Sequence, residues 1–238
     1  MKVNINNLVK KFGSNTAVNI NDFTICDGEI LGLVGNNGAG KTTLFRLILD
    51  LLKADQGEVS LVCDDERTIY PEKDETWKML AGAYIDEGFL IDFLTPEEYF
   101  AFIGKVNKLD KATIDKRIEM FNHFMGGEIL GQKKLIRNLS SGNKQKVGII
   151  SAFINKPNLL ILDEPFNFLD PSSQNILKNI IIEYNHENDA TILISSHNLA
   201  HTFDICSRIV LLEHGNIIKD IQNENRSADK ELEDYFNK

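Results

Sequence analysis

An α/β fold is predicted by three features of this 238-residue sequence. Short runs of branched apolar residues end in loops of special composition, most plainly EILGLVG at 29–35 and LLILD at 159–163. Longer stretches with apolar residues at helical spacing alternate with those runs. The chain is also 42% hydrophobic, which suits one sizeable core with a subdomain.

The elements follow in chain order. Residues 1–30 alternate polar and apolar around the turns GSN (13–15) and CDG (26–28), the period of antiparallel strands. EILGLVG is a short buried strand entering a glycine-rich loop, and TLFRLILDLLK (43–53) is an apolar helix. The polar stretch CDDERTIYPEKDE (63–75) is expected to be an exposed loop or hairpin. Thr95-Pro96-Glu97-Glu98 combines a capping box with proline at the first helical position. Beyond it Ile114, Ile118, Phe121 and Phe124 recur at helical spacing, so roughly 95–155 is predicted to be mostly helical. Strand–helix alternation resumes with LLILD and TILISS (191–196).

The predicted architecture is therefore a mixed-sheet core with an antiparallel β subdomain and an inserted helical subdomain. The core takes about 1–85 and 156–225, the helices about 87–155, and a tail about 226–238, all in one domain. Within that tail SADKELEDYFNK (227–238) reads as a short terminal helix. Trp77 and the phenylalanines of the helical block are assigned to the core.

The formal charge is −9 and the isoelectric point about 5.1. An acidic surface repels a phosphate backbone, so no nucleic-acid partner is expected. Cys26, Cys63 and Cys206 are far apart and odd in number, which reads as buried or idle thiols of a reducing cytosol. MKVNINNLVKKF lacks the apolar core of a signal peptide, and no run approaches the roughly 18 apolar residues that span a bilayer. The expectation is a soluble chain that reaches a membrane only through a partner.

Gly35-Asn36-Asn37-Gly38-Ala39-Gly40-Lys41-Thr42 fits GxxxxGK[ST] between a strand and a helix, with Thr43 following. Glycines let backbone N–H groups wrap phosphates, and the helix dipole adds partial positive charge. Lys41 is predicted to face the β- and γ-phosphates, with the Thr42 hydroxyl on Mg²⁺. The strand LLILD delivers Asp163 to the same Mg²⁺, and Glu164 beside it is a candidate to orient or deprotonate water. Together these predict an Mg²⁺-dependent nucleoside triphosphatase. Asn155-Lys156-Pro157-Asn158 resembles a guanine-reading NKxD but lacks the acidic fourth residue, so it reads as a connecting turn. Phe12 offers a flat face to a purine, and ATP is the expected nucleotide.

LSSGNKQK (139–146) places two serines and a glycine at a helix start beside Lys144 and Lys146, the composition of an anion site. It is similar to the LSGGQ signature of the ATP-binding cassette (ABC) superfamily, and it stands one short helix before the DE strand. Phe12 falls at that family's adenine-stacking position. Asn167-Phe168-Leu169-Asp170 resembles its D-loop, and Ser195-Ser196-His197 closes the last core strand like its H-loop.

The resemblance implies two cassettes packed head to tail, each signature capping the γ-phosphate on the other's phosphate loop. Ser140, Ser141, Gly142 and Asn143 would then serve a neighbour's ATP, and Asp170 would belong to the same junction. His197 would hydrogen-bond the γ-phosphate. Ser141 stands where the family has glycine, and Asn143 where it has glutamine. Aligning GAYIDEGF (82–89) places Asp86 at the Q-loop glutamine, where a carboxylate can still bind Mg²⁺ or water.

The implied function is the ATPase subunit of a membrane transporter. It would sit on the cytoplasmic face of the membrane against separate transmembrane permease subunits, and it resembles ABC-2-type exporters. A soluble single-cassette ATPase of protein or cofactor assembly is the alternative. DEGFLIDFLT (86–95) is apolar for a connecting segment, and Phe89, Leu90, Ile91 and Phe93 are expected to line a groove for a permease helix.

Overall fold

The computed structural model describes residues 1–223 together with Ser227, Ala228 and Leu232. Apart from those three residues, the terminal helix expected at 227–238 lies outside what is described.

The first layer is antiparallel. β1 (Lys2–Phe12) and β2 (Asn15–Ile25) form a hairpin, β4 (Gln56–Val62) pairs with the other edge of β1, and a two-residue β5 (Thr68–Ile69) closes the order β2-β1-β4-β5. The polar stretch 63–75 is thus a hairpin into β5, followed by a 3₁₀ turn, Glu75–Met79, capped by Asp74.

The second sheet has the order β10-β9-β3-β8-β7-β6. Its members are β3 (Ile30–Val34), β6 (Ala81–Tyr84), β7 (Leu159–Leu162), β8 (Thr191–Ser196), β9 (Arg208–Glu213) and β10 (Asn216–Gln222). Five run parallel and β10 runs antiparallel to β9. Parallel strands covered on both faces read as unbroken apolar runs, which is why β3, β7 and β8 stand out in the sequence. Alternate residues serve opposite faces. Leu160, Leu162, Ile192 and Ile194 join the cluster under the helices, whereas Leu159, Ile161 and Leu193 join the one under the antiparallel sheet and α1 (Lys41–Ile48).

The helical block comprises α2 (Pro96–Val106), α3 (Lys111–Glu119), α4 (Asn122–Met125) and α5 (Ser141–Phe153). It joins β6 to β7, which are neighbours in the sheet, so the whole block is one crossover. Its start is the predicted capping box: the Glu98 amide donates to Thr95 Oγ1 and the Thr95 amide to Glu98 Oε2. α6 (Pro171–Asn188) and α7 (Leu199–Ile205) complete the helices.

Three expectations are corrected. The helix expected over 43–53 ends at Ile48, because Asp50 turns left-handed (φ 48°) and the amides of Leu51 and Leu52 close back on the Arg46 carbonyl. Phe102 is exposed, since α2 turns Tyr99 and Phe100 inward instead; Phe100, Phe121, Phe124 and Phe153 are buried as expected. TILISS is not the last core strand, because β9 and β10 follow, joined at His214 (φ 46°) and Gly215 (φ 78°). Two positive φ values are what a tight hairpin turn needs, and His-Gly is a weak signal for one.

Candidate active site

β3 ends at Val34 and the chain turns through Gly35–Gly40 into α1. Gly35 and Gly40 are pressed onto the scaffold. A Cβ on either would stand 2.3 Å from a carbonyl oxygen, that of Leu212 or Ala17 respectively. The opposite side of the loop faces an open cavity of about 330 Å³, lined by Phe12, Asn15, Ala17, residues 36–43 and Glu164. At the first turn of α1 the amides lack intrahelical acceptors and carry the positive end of the dipole. Phe12, at the end of β1, is 52% exposed and presents its ring at the cavity wall, with Lys10 Nζ 5.6 Å from the ring centroid.

Lys41 is only 6% exposed. Its Nζ donates to the Gly35 carbonyl at 2.6 Å and to the Asn36 carbonyl at 3.4 Å, and lies 3.4 Å from Glu164 Oε1. β7 brings in the acid pair. Asp163 Oδ2 accepts from Thr42 Oγ1 at 2.5 Å, and Oδ1 accepts from the Ser195 hydroxyl at the end of β8. Burial pushes the Asp163 carboxyl above the usual carboxylate range. Ser195, Thr42 and Lys41 pull it back, while Glu164 pushes it further. Thr42 and Asp163 form an all-oxygen donor pair that fits Mg²⁺. Among the described residues no cluster of three or more His, Cys, Asp or Glu side chains could hold a metal. A magnesium ion here would thus complete its shell from phosphate and water, its usual habit.

Glu164 has a left-handed backbone (φ 47°), a conformation that persists in a non-glycine residue only where its surroundings fix it. Its amide donates to Ser195 Oγ at 2.8 Å, and its carbonyl accepts from Gln145 Nε2 at 3.0 Å and the Asn167 amide at 3.2 Å. The carboxylate links Lys41 to His197 at the edge of the cavity. Oε1 faces Lys41, and Oε2 accepts from the His197 amide at 3.2 Å and lies 2.8 Å from His197 Nδ1.

The signature segment stands apart from this cluster. Ser140 caps α5, its Oγ accepting from the Asn143 amide at 3.3 Å, and Ser140 and Ser141 are exposed. None of 139–146 lines the cavity. Gly142 is packed against the turn that carries Phe168, whose carbonyl oxygen a Cβ would meet at 2.7 Å. Asn143 Nδ2 donates to Glu128 Oε2 at 3.2 Å.

The two lysines that make the segment look like an anion site on its own are engaged elsewhere. Lys144 Nζ lies 3.4 Å from Glu87 Oε2, and Lys146 is buried with its ammonium 5.4 Å over the Phe124 ring. Asp170 and Asp86 are engaged elsewhere as well. Asp170 caps α6, with both oxygens taken by Ser173, and that bonding holds its carboxyl below the usual range. Asp86 accepts from the Gly88 amide at 2.7 Å and from Arg46 at 2.9 Å.

Sequence reasoning missed Ser195 as the partner of Asp163, and it missed Tyr84, Gln145 and Arg46. Only Gln145 carried a signal, as a polar uncharged residue between two lysines in the first turns of a helix. NKPN is the connecting turn expected, with Asn155 Nδ2 donating to the Ala81 carbonyl at 3.0 Å.

A strand–phosphate loop–helix unit with an acid pair from another strand of the same sheet is the fold of a P-loop nucleoside triphosphatase. The comparisons with known proteins narrow the class. The ABC transporter family profile matches residues 18–167. Bacitracin transport ATP-binding protein BcrA of Enterococcus faecalis is 33% identical over 216 residues, 90% of this chain and 67% of that one. Tungstate uptake system ATP-binding protein TupC of Peptoclostridium acidaminophilum is 31% identical over 217 residues, 91% and 97% of the two chains. The solved ATP-binding subunit of an ABC transporter superposes over the whole of both chains with TM-score 0.85 at 26% identity. A dimeric ATP-binding cassette bound to ADP and Pi shares the fold with TM-score 0.80 at 22% identity, over 93% of this chain and 99% of that one. This chain belongs to the ABC transporter family, as an ATP-binding cassette. Among its described residues no helix is long and apolar enough to cross a membrane.

Proposed function

We propose that the chain binds Mg²⁺-ATP and hydrolyses it in a pair of cassettes that drives separate membrane-spanning subunits from the cytoplasmic face. The observation that carries this is the position of the Glu164 carboxylate, held between Lys41 and His197 at the edge of the phosphate-loop cavity. Both groups that would greet a γ-phosphate are engaged by Glu164. An entering nucleotide competes for them and frees the carboxylate to orient and deprotonate water, a role worth typically ~10²–10⁴ in rate. Lys41 and the loop amides then hold the phosphates, Phe12 stacks the adenine, and His197 donates to the γ-phosphate. Mg²⁺, held by Thr42 and Asp163, would neutralise charge on the phosphate oxygens. Asp86 reaches the ion or water only after leaving Arg46.

The distance of Ser140–Asn143 from this chain's own cavity supports a signature that serves a second cassette, with Asp170 and Phe168 at the same junction. Glu164→Gln should bind Mg²⁺-ATP and stall before cleavage. In sedimentation velocity it should run as a dimer with ATP and as a monomer with ADP, and Ser140→Arg in that background should remove the dimer while leaving ATP bound. A Glu164→Gln chain that cleaves ATP at the parent rate overturns the role of Glu164. A Ser140→Arg dimer as tight as its parent overturns the shared site.

Export is the direction we favour. The ABC-2-like signature and the similarity to a bacitracin transport protein support it, while the tungstate uptake relative stands on the other side. Affinity purification from membranes should recover a protein with several apolar spans of ~20 residues; recovery of soluble partners alone favours an assembly ATPase.

A further inference from the structure

Gln145 is 4% exposed and lies in the first turns of the signature helix, yet it touches neither the cavity nor the exposed face of the segment. It spans two elements outside its own. Its Nε2 donates to the Glu164 carbonyl at 3.0 Å, and its Oε1 accepts from the Tyr84 hydroxyl at 2.6 Å. The amide orientation follows from chemistry, because a carbonyl oxygen can only accept and therefore selects the NH₂ end. The tyrosine hydroxyl then has a single way to satisfy the remaining oxygen.

Tyr84 is itself fixed. Its ring lies directly on α5 at Gly148, where a Cβ would come within 2.2 Å of Cε2. The hydroxyl is thereby aimed at Gln145, one helical turn earlier. Burial pushes the Tyr84 phenol well above its ordinary range, so it stays a neutral donor.

Of the three bonds that hold the Glu164 main chain among the described residues, that from Ser195 comes from the core sheet and that from Asn167 from the local turn. Gln145 supplies the only one of these from the helical block. We propose that Gln145 is a positioning residue for hydrolysis, using the Tyr84-held amide to fix the left-handed Glu164 backbone and so the aim of its carboxylate. A movement of α5 relative to β6 and β7 then acts on the catalytic glutamate through two hydrogen bonds. The inference rests on Glu164 being the base, and its test separates the two.

Gln145→Met keeps the volume and loses both bonds. Its kcat should fall at least tenfold, while the KM for ATP and the affinity for a fluorescent ATP analogue stay as in the parent, because no phosphate or adenine contact is touched. In single turnover with radiolabelled ATP, adding Gln145→Met to Glu164→Gln should change the residual cleavage rate by less than twofold, since a residue acting through Glu164 has nothing left to position. An unchanged kcat in the single variant overturns the proposal. So does an equal loss in both backgrounds, which would mark a scaffolding role. If Gln145→Met does not fold, Tyr84→Phe, which keeps the ring packing and removes the hydroxyl that anchors the Gln145 amide, is read by the same two criteria. A Glu164→Gln chain that turns over like the parent instead removes the reading of Glu164 beneath the inference.

Discussion

Single side chains in this protein are placed by what they lose when moved. Lys41 is buried against two loop carbonyls and the Glu164 carboxylate, three partners it would give up together on moving. Lys41→Ala should abolish ATP hydrolysis and weaken nucleotide binding, because it removes the cation facing the phosphates. Titration with a fluorescent ATP analogue checks it, and unchanged affinity and turnover would refute the assignment. His201 illustrates a different cost. Its ring stacks on Phe166 at 4.5 Å, and its Nδ1 is buried without a hydrogen-bond partner among the described residues. Burial holds its pKa below the ordinary 6.5, with Lys178 and His197 adding to the effect and Asp204 and Glu164 opposing it. Below that pH the unfolded chain binds more protons than the folded one. The stability His201 contributes is therefore complete above 6.5 and lost as pH falls through the folded value. On going from about pH 7.5 to about pH 5.5, His201→Gln should lose less of its urea midpoint than the parent does. Equal losses would show that His201 is not part of the acid sensitivity.

Elements are set by their ends as much as by their faces. α2 begins with both capping-box bonds and Pro96 in its first turn, so it starts at one residue and enters the helical block at one angle. Thr95→Ala should cost about 1 kcal/mol in chemical denaturation, the usual value of such a cap. A denaturation curve superimposable on the parent's would show that the rest of the block holds α2 without it. The segment between β6 and α2 is held from both sides. Asp86 pairs with Arg46 of α1, and Glu87 pairs with Lys144 of α5. Exposed pairs of this kind are worth ~0–1 kcal/mol each, so they guide the segment more than they anchor it. Beside them lies an apolar groove of about 200 Å³, lined among others by Leu51, Trp77, Tyr84, Phe89 and Leu90. Ile91 is half-buried, and Phe93 is exposed beyond the groove. Phe93→Glu should leave the melting temperature and ATP affinity of the isolated chain unchanged while weakening co-purification with the proposed membrane-spanning partner. Undiminished recovery of that partner would place the permease contact elsewhere.

At the scale of the whole molecule, the cavity and the signature occupy separate surfaces of one chain. This geometry makes complementation possible. Lys41→Ala retains a sound signature and Ser140→Arg a sound phosphate loop, so under the proposed pairing neither protein alone can assemble a complete site. Mixing the two inactive proteins should restore ATP hydrolysis, through the site that joins the intact loop of one chain to the intact signature of the other. A mixture as inactive as its components would mean that the site is not shared in this way.

Much of this was legible from sequence, because local chemistry decides it. GNNGAGKT needs no distant partner to be a phosphate loop. Thr95-Pro96-Glu97-Glu98 needs only its own backbone to cap a helix, and strands buried on both faces must be apolar throughout. The acid pair Asp163–Glu164 was readable for the same reason, as the polar end of an apolar strand. Contacts between elements far apart in sequence were not. Ser195 meets Asp163 only because β8 and β7 are neighbours in the sheet. Lys144 and Lys146 advertise an anion site in the sequence, yet α5 turns them toward Glu87 and Phe124. Gln145 gains its partners from β6 and from the turn after β7. A periodic pattern tells which face of an element is buried, but not which neighbour lies against that face. The sequence thus determined the phosphate loop, the acid pair and the order of elements. Tertiary packing decided where Ser195, Gln145, Lys144 and Lys146 point, because the groups that hold them lie about twenty or more positions away in the chain.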